Sequence, residues 1–399
     1  MLIWFSLLIP ILGIILLYIF FHKKVAWWEG GVLFLVILVF ISIMKYSTEL
    51  SMTSDKEYLQ DYVVKVEYYE DWNEWITQTC TRSCCCETST DSKGVSTTKC
   101  GTESYDCSHE DYHREYYQMV TASGREISIE KETYYRLIKQ FKKTPMFVDM
   151  NRDYYTNDGD KYYFEWNGDI SSIEYTVHEN TYENRVQASH SILNFPDVDT
   201  SDIRRYTIKE YPQVSNLDIL SLLGDKNYNI NRYINQTNSY IASAKQVKIF
   251  YLIFKNQPLD AGLIQEQYWK MGNKNEVNIC IGIDSKRNIK WSYVFTWSKK
   301  DIVKVKIIDF INSNKLLNNN TYKSIIDYNN GVIVKDFERR HFKEFSYLTV
   351  EPSDSAIIWT IVMSFILTIG GCVFIVINPF DSDGMNYGNN NFNNRYGRY

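Results

Sequence analysis

The sequence predicts a membrane-anchored α+β fold: three transmembrane helices flank a large extracytoplasmic region, which holds a Cys-rich β part and a βαββα α/β layer. Three observations carry that expectation. Long uncharged apolar runs sit at both ends of the 399 residues. Six of the eight cysteines crowd into Cys80–Cys107. Beyond residue 240, apolar positions alternate between strand and helix periods in a regular order. The implied organisation is a transmembrane hairpin over 1–45, a Cys-rich β-rich domain over 46–240, an α/β domain over 241–350, a third span over 356–377 and an Asn/Gly-rich tail over 378–399, whose composition predicts disorder.

The spans come first. Residues 2–21 carry no charge and are long enough to cross a hydrocarbon core. They lack the basic start and small-residue cleavage site of a signal peptide. The second run is fifteen residues over 30–44, or about 26–44 if Glu29 is admitted, with Trp27 and Trp28 placed as an interfacial belt. The third, 356–377, is stopped by Asn378-Pro379. Lys23-Lys24 then predicts a cytoplasmic hairpin loop, which puts the N-terminus and the large region outside and the tail inside.

An outside location makes an even set of clustered cysteines a disulfide framework. The set is Cys80, Cys84, Cys85, Cys86, Cys100 and Cys107. Fifteen pairings exist, and sequence does not choose among them. Adjacent Cα atoms, about 3.8 Å apart, are too close for a bridge, so Cys84–Cys86 should reach outward to Cys80, Cys100 and Cys107 or a subset. A turn at Asp91–Gly94 would fold the later cysteines back. The rival reading is zinc held by Cys107, His109 and His113. Cys280, in an apolar strand, and Cys372, in a span, read as inert.

Between these landmarks, 58–69 reads as a strand, and 116–123 with 126–129 as a hairpin about Gly124-Arg125. Residues 130–143 read as a helix with Tyr134, Leu137, Ile138 and Phe141 inward. Residues 147–151 and 162–166 read as strands. Asp149, Asp153, Asp158 and Asp160 lack the regular spacing of a calcium loop and read as part of a hairpin. Residues 182–202 carry no clear period. The Asn-rich stretch 216–240 reads as helical at its start. Strands are then expected at 246–255, 277–284 and 289–297, with helices at 259–271 (Leu263, Ile264, Tyr268 and Trp269 inward), at 301–312 (Val303, Ile307, Phe310 and Ile311 inward) and at 334–345.

The order of the α/β part, with its YWKMGNKNEVNICIGID and WSYVFTW stretches, resembles the TPM domain over about 110 residues. The whole chain also resembles uncharacterised membrane proteins of tailed phages and bacteria through its TCTR, YDCS, GNKNE and YLTVEP stretches. The TPM resemblance implies a metal-dependent, phosphatase-type hydrolase with Glu276 and Asp284 near the metal.

The sequence contains no GxSxG, phosphate loop, GxGxxG or HExxH. A formal charge of −5 gives no nucleic-acid footprint. The 32 tyrosines suit strands. Asn235 and Asn319 sit in glycosylation-type triplets, a motif common by chance. The expectation is therefore a membrane-tethered binding or assembly module contacting an envelope, virion or protein partner. It needs no cofactor; the alternative is the hydrolase with a divalent metal, Ca or Zn.

Overall fold

The structure, a computed structural model, describes residues 2–21, 25–90, 96–142, 144–150, 159–215 and 218–377. The Lys23-Lys24 loop, the Asp91–Gly94 turn and the tail, each assigned a role above, lie outside the described residues, as do Asp153 and Asp158. The chain is a mixed α+β protein with three apolar helices, two of them N-terminal, and a disulfide-bearing sheet region.

A 3-10 turn, Leu2–Leu7, runs into α1 (Leu8–Phe21), which α2 (Trp27–Thr53) follows. With the C-terminal helix, Asp354–Ile377, these are long and apolar enough to cross a membrane. They pack together where small residues let backbones close in. A Cβ on Gly13 would lie 2.4 Å from Thr368 Cγ2, and one on Gly371 would lie 2.3 Å from Leu33 Cδ1. Ser364 Oγ donates to Ser6 O at 3.3 Å. The outward faces stay apolar, with Leu12, Ile15, Phe20, Val36 and Ile366 exposed. The second helix is longer than the expected 26–44. Its extension carries the Lys45–Glu49 pair at 3.7 Å, and Thr48 and Thr53 hydroxyls donate to carbonyls four residues back. Glu29, the charge that shortened the expected span, works at the helix start: its Oε2 accepts from Ala26 N at 2.7 Å.

β1 (Ser54–Tyr69) leaves α2 without a linker. After it come β2 (Trp72–Ile76), β3 (Thr79–Thr90), β4 (Ser96–Asp106), β5 (His109–His113), β6 (Tyr116–Thr121), β7 (Glu126–Ser128), α3 (Lys131–Phe141), β8 (Met146–Val148), β9 (Lys161–Glu165) and β10 (Tyr175–Glu183). One sheet has the order β7-β6-β1-β9-β8, and β10 pairs with the first half of β1. β1 reaches both partner sets because it is sixteen residues long and a register shift between Val63 and Lys65 lets it bend. α3 buries Tyr134, Leu137 and Phe141 against Val63, Val66 and Met119. Its face has the predicted helical period.

Glu67 lies buried in this sheet between Lys65 and Lys161, at 2.5 and 2.8 Å. Burial alone would push its carboxyl up. Hydrogen bonds from Lys161, Lys65 and Gln118 outweigh that and hold it at about 2. A folded value below the ordinary 4.5 contributes stability that is complete above about pH 4.5 and is lost as pH falls towards 2. Both lysines keep some solvent contact, so the contribution is about 2 kcal/mol, less than the full shift implies. Acid-unfolding curves of wild type and Glu67→Gln should therefore converge between pH 4.5 and 2; parallel curves would refute the assignment.

The second half adds α4 (Arg185–Ala188), α5 (Thr200–Arg205), β11 (Val214–Ser215), β12 (Asp218–Ile219), β13 (Leu222–Leu223), α6 (Tyr228–Lys245), β14 (Lys248–Lys255), α7 (Asp260–Tyr268), β15 (Glu276–Ile283), β16 (Ile289–Thr296), α8 (Ile302–Ser313) and α9 (Asn319–Asp336). The sheet order is β13-β14-β15-β16, parallel except for the last pair. β15 is buried along its whole length, as expected of a strand covered on both faces. α6, α8 and α9 contribute to one core; α7 and the Tyr206–Tyr211 segment contribute to the other.

Three expectations are corrected here. The helix expected at 334–345 is α9, which ends at Asp336, followed by a 3-10 turn over Phe342–Phe345. α7 buries Ala261, Gly262 and Gln265, while Leu263 faces out. In 216–240 the described residues begin with the short strands β12 and β13, and the helix starts only at Tyr228.

A buried polar cluster joins the two sheets. Lys248 Nζ donates to Gln60 Oε1 at 2.6 Å and to Ser221 Oγ at 2.8 Å; Gln60 Nε2 donates to Asn235 Oδ1 at 3.1 Å. Asn235, one of the two triplet asparagines, is fully buried in this cluster and closed to glycosylation in the folded chain.

Candidate functional site

Strands β2–β5 form a two-stranded arm. β2 pairs with β5 from Trp72↔His113 to Ile76↔His109, and β3 continues against β4 from Thr79↔Asp106 to Thr90↔Ser96. At about 3.3 Å per residue, the arm extends up to about 60 Å. Such a ribbon has only one cross-strand neighbour per residue and is marginal in water alone. β3 and β4 pack on each other and on no other element to a comparable extent.

Its root is aromatic: Trp72 stacks on His113 at 4.6 Å, and His113 Nε2 pairs with Glu74 Oε2 at 2.9 Å. Two disulfides then cross-link the strands, Cys80–Cys107 and Cys86–Cys100. The three adjacent cysteines separate by a bulge. Cys84 pairs with Gly101 and Glu87 with Lys99, so Cys85 and Cys86 together face Cys100. Cys86 takes the bridge, and Cys85 sits exposed in the left-handed region at φ +49°. Cys84 lies opposite a glycine and has no cross-strand side chain to bond. Both keep their thiols. The Arg82–Glu103 pair at 2.5 Å, between the two bridges, and toward the tip the Thr88–Thr98 and Thr90–Ser96 hydroxyl pairs at 3.1 and 3.0 Å hold the register. Trp75, Tyr105 and Tyr112 remain exposed. Residues 72–113 carry seven carboxylates against three lysines and arginines.

The zinc set is overturned by this geometry. Cys107 is spent in a disulfide. His109 and His113 stand four residues apart on one strand, about 13 Å, beyond any shared ion. Glu276 and Asp284 are also not brought together. They flank opposite ends of β15, about 26 Å apart. Asp284 lies in the β15–β16 turn, accepting from Asn288 N and Nδ2 and from Lys286 N, each at 2.8 Å. Hydrogen bonds from Asn288 hold its carboxyl at about 2. Among the described residues no group of three or more His, Cys, Asp or Glu is placed to hold a metal.

Glu276 is sealed. Its Oε1 accepts from Tyr211 Oη at 2.6 Å and Asn273 Nδ2 at 2.8 Å; its Oε2 accepts from Asn273 N at 3.1 Å. Burial pushes its carboxyl up, and these donors oppose that. Gly272, at φ +72°, permits the fold-over, since a Cβ there would lie 2.7 Å from Glu276 Oε2. A cavity of about 320 Å³ opens beyond Tyr211, Trp269 and Asn273, and Glu276 does not line it. The carboxylate therefore ties the loop before β15 and presents no free oxygen to a ligand.

The comparisons with known proteins yield no match: no family model, curated protein or solved structure matches this chain.

Proposed function

We propose that the chain is an integral membrane protein that holds its body outside the cytoplasm and uses the stapled arm to bind a partner protein. The observation that carries the reading is the arm itself, a ribbon cross-linked twice that packs against almost nothing of its own chain. Disulfides persist in oxidising compartments, which supports the outside placement. The apolar outward faces of the three helices support insertion in a bilayer, since an apolar belt of that extent is not tolerated in water. Exposed aromatics are the side chains that anchor protein interfaces, and open strand edges offer main-chain pairing. The acidic excess of the arm favours a basic partner surface.

A reporter active only outside the cytoplasm tests the side. Fused after residue 70 it should be active, and fused after residue 385 it should be silent. The reverse pattern would overturn the orientation. The partner is tested with a photo-crosslinker at Trp75 and another at Lys290 on the body: adducts to a second protein from Trp75 alone support the arm, and equal adducts from both refute it.

A further inference from the structure

A cavity of about 490 Å³ lies between the start of β1, the end of β10, the loop after α7 and the segment after α9. Its walls hold five cations and two carboxylates. Each carboxylate already has cationic partners. Glu183 Oε1 accepts from Arg185 Nε at 2.6 Å. Glu57, with no solvent exposure, pairs with Arg339 and with Lys274 at 3.4 Å. Arg340 and Lys343 have no carboxylate within ion-pair distance among the described residues. Arg340 Nε is buried without a hydrogen-bond partner. Burial pushes the Lys274 ammonium down, and the adjacent Arg339 adds to this against the pull of Glu57. The pocket lining thus carries three more cations than carboxylates; Glu344, outside the lining, also feels Arg340 but is already paired with Lys299 at 2.8 Å.

The pocket also sits beside the helix bundle. Arg185 on its wall reaches Glu49, in the penultimate turn of α2, at 2.8 Å, and donates to Leu348 O at 3.2 Å, six residues before the C-terminal helix. Asn184 N donates to Thr53 O at 2.7 Å, where α2 ends. Resting on the reading that the helices span a bilayer, the cavity lies at headgroup depth.

We infer that this pocket binds an anionic phosphate group, with Arg340 and Lys343 as its recognition residues and Arg339 and Lys274 as its floor. Guanidinium and ammonium groups match phosphate oxygens in charge and donor geometry. A pocket of this volume is large enough for a headgroup. A lipid headgroup and a soluble phosphate share this chemistry.

The full chain, reconstituted in phosphatidylcholine nanodiscs, is titrated with inorganic phosphate; in a second arm, lipid retained from mixed phosphatidylcholine–phosphatidylglycerol bilayers is weighed by native mass spectrometry. Binding in either arm should fall about 10- to 100-fold in Arg340→Gln/Lys343→Gln, the loss of hydrogen bonds to a charged group. Lys290→Gln, at the far end of the body, should leave it unchanged. Retention of phosphatidylglycerol without phosphate binding identifies a lipid; phosphate binding in zwitterionic discs identifies a soluble ligand. If neither ligand binds, or if Lys290→Gln weakens binding as much, the inference is overturned. Lys343→Glu, a change at an exposed side chain, supplies the same comparison should the double variant misfold. These outcomes do not depend on the arm or its partner. Loss of the phosphate site with an active reporter at residue 70 would leave the proposed topology standing.

Discussion

Replacing Glu57 by alanine should destabilise the folded chain by about 3–5 kcal/mol, the usual cost of removing one partner from a buried charge cluster. Its carboxylate accepts from Asn180 Nδ2 at 2.8 Å and pairs with Arg339 and Lys274. Their side chains are only 19 % and 14 % exposed, so neither can turn fully to water when the carboxylate is gone. Lys274 also stacks on the Tyr182 ring at 4.0 Å, which fixes its position. The same three contacts join β1 to β10, to the loop after α7 and to the segment after α9, across sequence separations of 123, 217 and 282 residues. Chemical denaturation in detergent should show the loss as a lower midpoint with an unchanged slope. Glu57→Ala/Lys274→Met should recover part of it, because the second change removes an uncompensated cation. A single variant within 1 kcal/mol of wild type would show that the cluster is solvated and that the charge count of the adjacent pocket is wrong.

How far the sequence made this legible depends on whether the signal was local. The period of β14, β15, β16 and α8 is local, and those elements lie where the apolar spacing puts them. The face of α9 obeys the same rule through Tyr322, Ile325, Ile326, Asn329 and Ile333. Its period is hard to read in the sequence because polar Asn329 stands on the buried face, although Asn318 is a readable cap, accepting from Thr321 N at 2.9 Å. Lys248 and Gln60 could not be found locally. A lysine at the head of a strand reads as solvent-facing, and only its partner 188 residues away shows why it is buried. The basic run Arg339-Arg340-His341-Phe342-Lys343 falls inside the expected helix 334–345. Within a helix such a run reads as ordinary solvated charge, because an exposed helix face also carries charge. Glu276 and Asp284 are the acids that the TPM resemblance places near a metal. Their roles are set by a left-handed glycine and a turn, neither of which changes the residue types that a metal reading needs.

The cysteine arm is the clearest case of a pattern whose meaning was legible and whose pairing was not. Adjacent cysteines cannot bond each other, but which of three is bonded depends on the bulge at Cys85, a backbone event that strand alternation does not announce. The register makes a definite prediction. Digestion of the non-reduced protein should give Cys80 linked to Cys107 and Cys86 linked to Cys100, and alkylation before reduction should label Cys84 and Cys85 but not those four. Chelators should leave this pattern unchanged, since no bridge depends on a metal. The bridges close segments of 14 and 27 residues, each worth about 3–4 kcal/mol in the chain-entropy model. An arm with no core has little else to offset its loss. Cys86→Ser/Cys100→Ser should therefore open the distal half of the arm and raise its proteolysis rate on the order of 100-fold in the regime where cleavage follows the open population. The body, which has its own cores, should melt as before. Free reaction of all six thiols in the oxidised protein, or equal protease resistance with and without Cys86 and Cys100, would show that the arm is not held by these bridges, and the proposal that it is built to reach a partner would fall with them.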